Sequence, residues 1–236
     1  MIDEGPTMSL IEHLEELRRR LIVIVASILL AAVGGFLVSR QVLAILRDQL
    51  PEAYRQLIFL GPADALSAQL KIAGFLGIGI AMPVILFQLW RFVAPGLTKR
   101  ERRFIWPAIF AAMALFVFGV VIGYLVIPYT LRFLLDFSEG LATPNLTIEG
   151  YVGFVTTMML AFGLVFEFPI VLIGLARVGI LSHRRLAARR RWAILAIVLF
   201  AIVLTPGGDP ISPLILSGVM FLLFEGSLLI IRAIRR

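Results

Sequence analysis

Several stretches of this chain are almost entirely apolar, and most are long enough to cross a lipid bilayer. A helix needs about 20 apolar residues to cross a hydrocarbon core of ~30 Å. The mean hydropathy of +0.99, with 60% hydrophobic and only 16% charged residues, excludes an ordinary soluble domain. We therefore predict an all-α, polytopic membrane protein that forms a single domain over residues 1–236. The six candidate spans are Leu21–Val38, Ile72–Trp90, Ile105–Ile127, Tyr151–Ala176, Trp192–Leu204 and Ile211–Ile231, of which the fifth is short.

Basic residues are divided unequally between the two sides that six spans define. The side that holds both termini carries 17 of the 22 Lys and Arg residues, including the run from Arg184 to Arg191. Cytoplasmic loops are enriched in Lys and Arg, so this division predicts that both termini are cytoplasmic. The net charge of +7 then needs no nucleic-acid partner. The run from Arg184 to Arg191 either orients the chain or binds acidic lipid or an acidic protein surface.

The usual local signatures of enzymes are missing from the sequence. There is no cysteine, and the two histidines, His13 and His183, are far apart. No HExxH, GxSxG or phosphate-binding Gly-Lys-Ser/Thr pattern occurs. We therefore expect no enzyme activity, no metal site and no cofactor.

A polar segment before the first span has helical spacing. Ser9 and Glu12 are spaced as a capping box, and leucines recur from Leu10 to Leu21 at helical intervals. Glutamates and arginines occupy the other face and can form Glu15–Arg19 and Glu16–Arg20 pairs, each of which stabilises a helix by about 0.2–0.5 kcal/mol. These features predict an amphipathic cytoplasmic helix that runs into the membrane.

Short motifs along most of the chain resemble those of the TatC family, the multispanning receptor subunit of the twin-arginine protein translocase. The blocks that carry the resemblance occur in the family's order: His13-Leu14-Glu15-Glu16-Leu17-Arg18-Arg19-Arg20, Pro83, Gln88-Leu89-Trp90-Arg91-Phe92-Val93-Ala94-Pro95-Gly96-Leu97, Lys99-Arg100-Glu101-Arg102-Arg103, Ala161-Phe162-Gly163, Phe166-Glu167-Phe168-Pro169, and Leu204-Thr205-Pro206 with Asp209. Each block is weak alone, but together they are specific.

The sequence departs from the family pattern on the side opposite the termini. Asp64 and Leu66 stand where the family often has Glu and Phe, and Pro210 and Pro213 follow Asp209. These differences affect external contacts and leave the cytoplasmic signature intact.

The resemblance implies a function in protein transport. It implies a receptor in the bacterial cytoplasmic (inner) membrane that binds twin-arginine signal peptides and supports transport of folded proteins driven by the proton-motive force. The implied partners are those signal peptides, single-span TatA- and TatB-type subunits, membrane lipid and further copies of the chain in a homo-oligomer.

Two acids match the family's acidic positions at the cytoplasmic side. Arginine presents a planar fork of donors that suits a carboxylate, so acids are expected where two adjacent arginines bind. The resemblance assigns this role to Glu16 and Glu101. In the structural alternative, Glu16 pairs with Arg20 and Glu101 neutralises its basic neighbours.

Four further residues belong to the predicted recognition surface. The family resemblance assigns Phe92 to it, and Pro95 and Leu97 would complete an apolar rim for the hydrophobic part of a signal peptide. Arg18 joins them from the amino-terminal motif. The alternative for Phe92 is an aromatic anchor at the membrane interface.

Glu167 lies within the fourth span, where an ionised carboxylate is costly and normally faces protein or water. Pro169, two residues later, is expected to bend that span. Glu167 takes part in translocation or, alternatively, remains protonated and satisfies a neighbouring helix. Asp209 is assigned to an external loop. In the third span, Gly119 and Gly123 form a GxxxG pattern, which predicts close helix packing.

Two other classes of membrane protein are alternatives for a chain with these spans. A secondary transporter or ion channel could use Glu167 as an intramembrane ion or proton site, but such folds usually repeat the site in two halves. Glu167 has no counterpart in the first half. An intramembrane protease would need GxGD, HExxH or paired Ser and His signatures, which the sequence lacks.

Overall fold

The computed structural model describes residues 10–93, 105–138, 145–177, 179–206 and 208–234. Helices account for nearly all of this part of the chain, and it contains no β-strand longer than an isolated bridge. In lipid, backbone polar groups must be paired within the protein, which favours helices in apolar segments. The helices are α1 (Leu10–Leu37), α2 (Ser39–Arg47), α3 (Asp64–Val93), α4 (Ile105–Ser138), α5 (Ile148–Phe166), α6 (Phe168–Arg177), α7 (His183–Ala188), α8 (Arg190–Leu204) and α9 (Ile211–Ile234).

The amphipathic segment and the first span form one continuous helix, α1. No proline interrupts it, and its first glycines, Gly34 and Gly35, lie in its last turn. It packs along α3. The predicted polar helix is therefore the amino-terminal extension of the first span, and the two do not form separate elements.

Several spans extend beyond their apolar runs. Helix α3 begins at Asp64 and α4 continues through Pro128 to Ser138, well past the predicted end at Ile127. Within the described part of the chain, five segments are long and apolar enough to cross a membrane: Ile11–Leu37, Asp64–Phe92, Ile105–Ser138, Ile148–Arg177 and Ile211–Ala233. The fifth predicted span, Trp192–Leu204, corresponds to α8, which has only 15 residues. The all-α polytopic fold is confirmed, and the count of six depends on how this short helix is counted.

The fourth span is interrupted at Glu167, where α5 ends and α6 begins. The backbone N–H of Glu167 donates to Leu164 O at 3.1 Å, an i to i−3 bond that tightens the last turn. Pro169 has no N–H to donate to Val165, so the regular ladder is broken at this point. The bend predicted from Pro169 is thus a helix interruption centred on the acid.

The core lies where α4 and α5 pack together. Phe162, Met158 and Val155 of α5 are fully buried. Opposite them, Gly119 and Gly123 bring α4 within backbone contact of α5. The close packing predicted from the GxxxG pattern is present.

The segment between α1 and α3 folds onto the amino-terminal end of α5. Tyr151 donates its hydroxyl to Leu46 O at 2.5 Å, and Ile58 forms a parallel bridge with Thr147. Asp64 accepts from the backbone N–H groups of Leu60 (2.8 Å) and Gly61 (3.0 Å) and so fixes the turn before α3. This acid, where the family often has Glu, has a structural role.

Candidate functional site

A pocket of about 560 Å³ lies between the first part of α1 and the last part of α3. Acids and bases alternate in its wall because successive turns of α1 present Glu and Arg on one face, as the i, i+4 spacing predicts. The lining residues are Glu12, Glu15, Glu16, Arg19, Arg20, Val23, Gln88 and Arg91. Such a wall offers carboxylate acceptors to a cationic ligand at the end of the spans.

Glu16 is paired with Arg20 in this pocket. Arg20 donates from Nε to Glu16 Oε1 at 3.0 Å, and its Nη2 contacts the same oxygen. The side chains are only 14% (Arg20) and 19% (Glu16) exposed, so the pair is largely withdrawn from solvent. The local pair predicted from the sequence is present, and it lies inside the candidate site.

Arg20 also joins the two helices that form the pocket. Its Nη1 donates to Gln88 Oε1 at 3.1 Å, across 68 positions of sequence. Sequence reasoning quoted Gln88 only as part of a motif and gave Arg20 no role in recognition. The sequence did contain a signal for Gln88, because it is a polar residue within an otherwise apolar run. Such residues usually face protein and not lipid.

The second carboxylate oxygen of Glu16 lacks a hydrogen-bond donor. Glu16 Oε2 is buried and has no hydrogen-bond partner among the described residues. His13 Nδ1 lies 4.0 Å from this oxygen. Buried carboxylate oxygens are normally hydrogen-bonded, so this oxygen retains capacity for an incoming donor.

Phe92 lies beside Glu16 through its contact with His13. The two rings stack with centroids 4.3 Å apart and an interplanar angle of 16°. Because His13 Nδ1 also lies 4.0 Å from Glu16 Oε2, His13 links the Phe92 ring to the carboxylate. The structure therefore places near each other Glu16 and Phe92, two residues that the family resemblance had assigned to recognition.

The remaining sequence-selected residues are placed differently. Arg18 is exposed on α1 and does not line the pocket. Glu101, Pro95 and Leu97 lie outside the described residues, between the end of α3 and the start of α4. The convergence of Glu16 with Glu101 therefore stays a prediction.

Glu167 belongs to a different part of the molecule. It is half-buried between α5 and α6, and its Oε1 is buried without a hydrogen-bond partner in the described part of the chain. The pocket near Glu16 does not include it. A carboxyl group with an unused oxygen inside an interrupted span can accept a bond from a ligand or partner, although nothing in the described residues supplies one.

Asp209 lies between α8 and α9 and is only 4% exposed. Its Oδ2 accepts from the backbone N–H of Ser212 at 2.6 Å, which satisfies a donor at the start of α9. The hydroxyl of Ser212 is 2.9 Å from that of Thr130 in α4. Asp209 is thus a buried helix cap, a role that its assignment to an external loop did not anticipate.

The described residues contain no group of three or more His, Cys, Asp or Glu side chains that could hold a metal ion. The side chains that line the pocket are able to donate and accept hydrogen bonds and to pair with charged groups. Together, the spans and this pocket define a multispanning helical membrane protein with a pocket of acidic and basic side chains at one end of its first two long helices.

Comparisons with known proteins identify the family. The family model described as "Sec-independent protein translocase protein (TatC)" matches residues 12–218. TatC of Carboxydothermus hydrogenoformans is 38% identical over 98% of this chain and 96% of its own length, and TatC of Deinococcus radiodurans is 35% identical over 96% and 86%. A crystal structure of the twin arginine translocase receptor TatC superimposes with a TM-score of 0.82, at 34% identity over 95% of this chain and 100% of that one.

This chain belongs to the TatC family, so the resemblance noted in its motifs is confirmed. It is an integral membrane protein of a protein-translocase family and not of an enzyme family. The transporter, channel and protease alternatives have no support among these matches.

Proposed function

We propose that this chain is the receptor of a twin-arginine translocase and that it binds the signal peptides of folded cargo proteins at the pocket between α1 and α3. The observation that carries the proposal is Glu16, a largely buried carboxylate in a pocket at the end of the spans, with one oxygen that accepts no hydrogen bond from the described residues. A guanidinium fork is the ligand that matches such a carboxylate.

Residues around the pocket would contribute to recognition in different ways. Glu16 would accept bonds from one ligand arginine, and Glu101 from the other. Phe92, with Pro95 and Leu97, would meet the apolar part of the signal peptide, and Arg18 would act from the exposed face of α1. Support for Phe92 comes from its stack with His13, next to Glu16.

The wider setting follows the family. The chain would act as a single domain in the bacterial cytoplasmic (inner) membrane, with both termini in the cytoplasm, because 17 of its 22 basic residues lie on that side. It would assemble with TatA- and TatB-type single-span subunits and with further copies of itself. Transport would be driven by the proton-motive force.

Peptide binding to the purified chain in lipid nanodiscs tests the proposal. A hydrogen bond to a charged group contributes about 1.5–3 kcal/mol, so Glu16→Gln or Glu101→Gln should weaken binding of a twin-arginine peptide about tenfold or more. The double variant should lose more. A peptide with two lysines should bind less well to the unchanged chain, because lysine lacks the bidentate fork.

The matched control is Glu52→Gln, which removes one negative charge from an exposed side chain outside the pocket. It should leave peptide binding unchanged.

Photocrosslinking supplies an independent readout, since Glu16→Lys and Glu101→Lys should abolish crosslinks to a twin-arginine precursor in an inserted, stable protein. Unchanged crosslinking to the double variant would sink the recognition role of both acids.

A further inference from the structure

The guanidinium of Arg20 already occupies the carboxylate that the proposed ligand needs. It donates to Glu16 Oε1 from Nε at 3.0 Å, contacts that oxygen again through Nη2, and reaches Gln88 Oε1 from Nη1 at 3.1 Å. With 14% of its side chain exposed, Arg20 is fixed between α1 and α3. The chain thus presents to its own acid the same chemical group that a twin-arginine ligand would bring.

The two guanidinium groups cannot both use Glu16 fully. A bidentate arginine takes both oxygens of a carboxylate. Arg20 holds Oε1. The other oxygen, Oε2, is buried, and His13 Nδ1 lies 4.0 Å from it. A ligand arginine that binds bidentately must therefore displace Arg20 and reach Oε2.

We infer that Arg20, held in place by Gln88, is a resident competitor for the ligand's arginine and sets the affinity of the Glu16 site. The inference rests on the proposed function of that site and assigns this pocket one more functional residue. Binding is then an exchange of one guanidinium for another. The displaced Arg20 remains in a pocket whose wall includes Glu15, so its charge does not leave the site.

An exchange of this kind has a defined thermodynamic consequence. Because Arg20 holds Oε1 and Oε2 is buried, any donor that binds Glu16, a lysine ammonium included, must first displace Arg20. The apparent affinity is multiplied by the fraction of molecules in which Glu16 is accessible, and this factor is the same for every such ligand. Arg20 therefore weakens arginine and lysine peptides equally, and the ratio of their dissociation constants does not depend on it. Because the twin-lysine peptide binds more weakly, it is the first of the two whose dissociation constant exceeds the peptide concentration when Arg20 lowers both affinities.

The test measures binding of a twin-arginine peptide and its twin-lysine counterpart to the full chain in nanodiscs. Arg20→Gln removes the competitor, and Arg20→Lys keeps the charge but cannot bridge Glu16 and Gln88 through a planar fork. Gln88→Ala leaves Arg20 in place but removes one of its acceptors. We expect about three- to tenfold tighter binding in Arg20→Gln, with smaller gains in the other two variants and an unchanged ratio between the two peptides.

The control variant is Arg19→Gln, which removes the same charge from the same pocket wall at a residue without a hydrogen bond to Glu16 in the described structure. Its effect measures the general repulsion between the pocket and a cationic peptide. The competitor role is wrong if Arg20→Gln raises the affinity for the twin-arginine peptide no more than Arg19→Gln does and Arg20→Lys does not raise it at all. Weaker binding in both Arg20 variants would also overturn it, because Arg20 would then support the ligand site. If Arg20→Gln folds poorly, the other two variants still test the proposal. Arg20→Lys keeps the charge, and Gln88→Ala keeps Arg20 itself.

Glu16→Gln separates the inference from the function on which it rests. If the unchanged chain does not bind the peptide, or if Glu16→Gln binds it equally well, the proposed site fails and the inference falls with it. If Glu16→Gln loses binding while the Arg20 variants show no gain beyond the control, the receptor site stands and only the competitor role is rejected.

Discussion

Gly119 in α4 lies against the backbone of Phe162 in α5, so closely that a Cβ atom at Gly119 would be 2.7 Å from the Phe162 carbonyl oxygen. The same Cβ would be 2.7 Å from Cδ2 of Phe166. In lipid, helices associate mainly through packing, and small residues permit their closest approach. This contact positions the interrupted fourth span, and therefore Glu167, relative to the third.

Gly119→Ala should destabilise the protein by about 1–3 kcal/mol, because the added methyl group meets a backbone carbonyl that cannot move alone. The measurement is thermal denaturation in detergent. Gly218→Ala is the matched control, since it lies inside α9 and its Cβ would meet nothing within 4 Å. That variant should be neutral or gain about 0.5–1 kcal/mol from the lower entropy of its unfolded chain. Equal melting temperatures for the two variants would contradict the packing role of Gly119.

Local sequence patterns predicted much of this structure. The apolar runs located the spans, GxxxG marked the contact of α4 with α5, and Pro169 marked the interruption at Glu167. The Glu16–Arg20 pair was predicted from i, i+4 spacing and is present. Each of these features depends on residues within a few turns of one helix, where spacing fixes geometry.

Contacts between distant segments were not predictable in the same way. The bond from Arg20 to Gln88 and the stack of His13 on Phe92 depend on how α1 and α3 are rotated and staggered against each other. Helix periodicity leaves both quantities open. The burial of Asp209 was missed for a related reason, because a polar residue between two spans normally suggests an exposed loop.

Asp209→Ala should lower stability by about 0.5–2 kcal/mol, the usual cost of losing a side-chain cap at a helix start. Asp209→Asn retains an oxygen that can accept from the Ser212 N–H and should lose less. Melting temperatures in detergent compare the two. If both substitutions have the same effect, the cap to Ser212 does not account for the contribution of Asp209.

Glu167→Gln should leave the protein folded and its peptide binding unchanged but should reduce transport. The physical reason is the buried Oε1, which has no hydrogen-bond donor among the described residues and lies where the fourth span is interrupted. Transport of a twin-arginine precursor into inverted vesicles measures the effect, and peptide binding to the same membranes is the control. Normal transport by Glu167→Ala, or lipid exposure of this side chain, would contradict a functional role.

The bilayer should be thinner beside α8 and α9. Helix α8 has 15 residues, which at 1.5 Å each reach roughly 22 Å, against a hydrocarbon thickness of ~30 Å. Arg190, at the start of α8, donates from Nε to Glu225 Oε1 at 2.6 Å, so the polar boundary extends to Glu225 within α9 as well. Electron cryomicroscopy of the protein in nanodiscs would measure the thickness. A bilayer of ordinary thickness beside both helices would reject this prediction.

The orientation of the chain is accessible to cysteine labelling because the native sequence has no cysteine to remove. The 17-to-5 division of basic residues predicts a cytoplasmic location for Arg184, for residues 98–103 and for the tail after Arg236, and an external location for Glu52 and Leu141–Asn145. A membrane-impermeant maleimide should therefore label Glu52→Cys in intact spheroplasts, where that side chain is 91% exposed. Arg184→Cys, also exposed, should react only after the membrane is permeabilised. A cysteine at Pro144 checks the next external segment, and its labelling from the cytoplasmic side alone would mean that the number of spans before it is wrong.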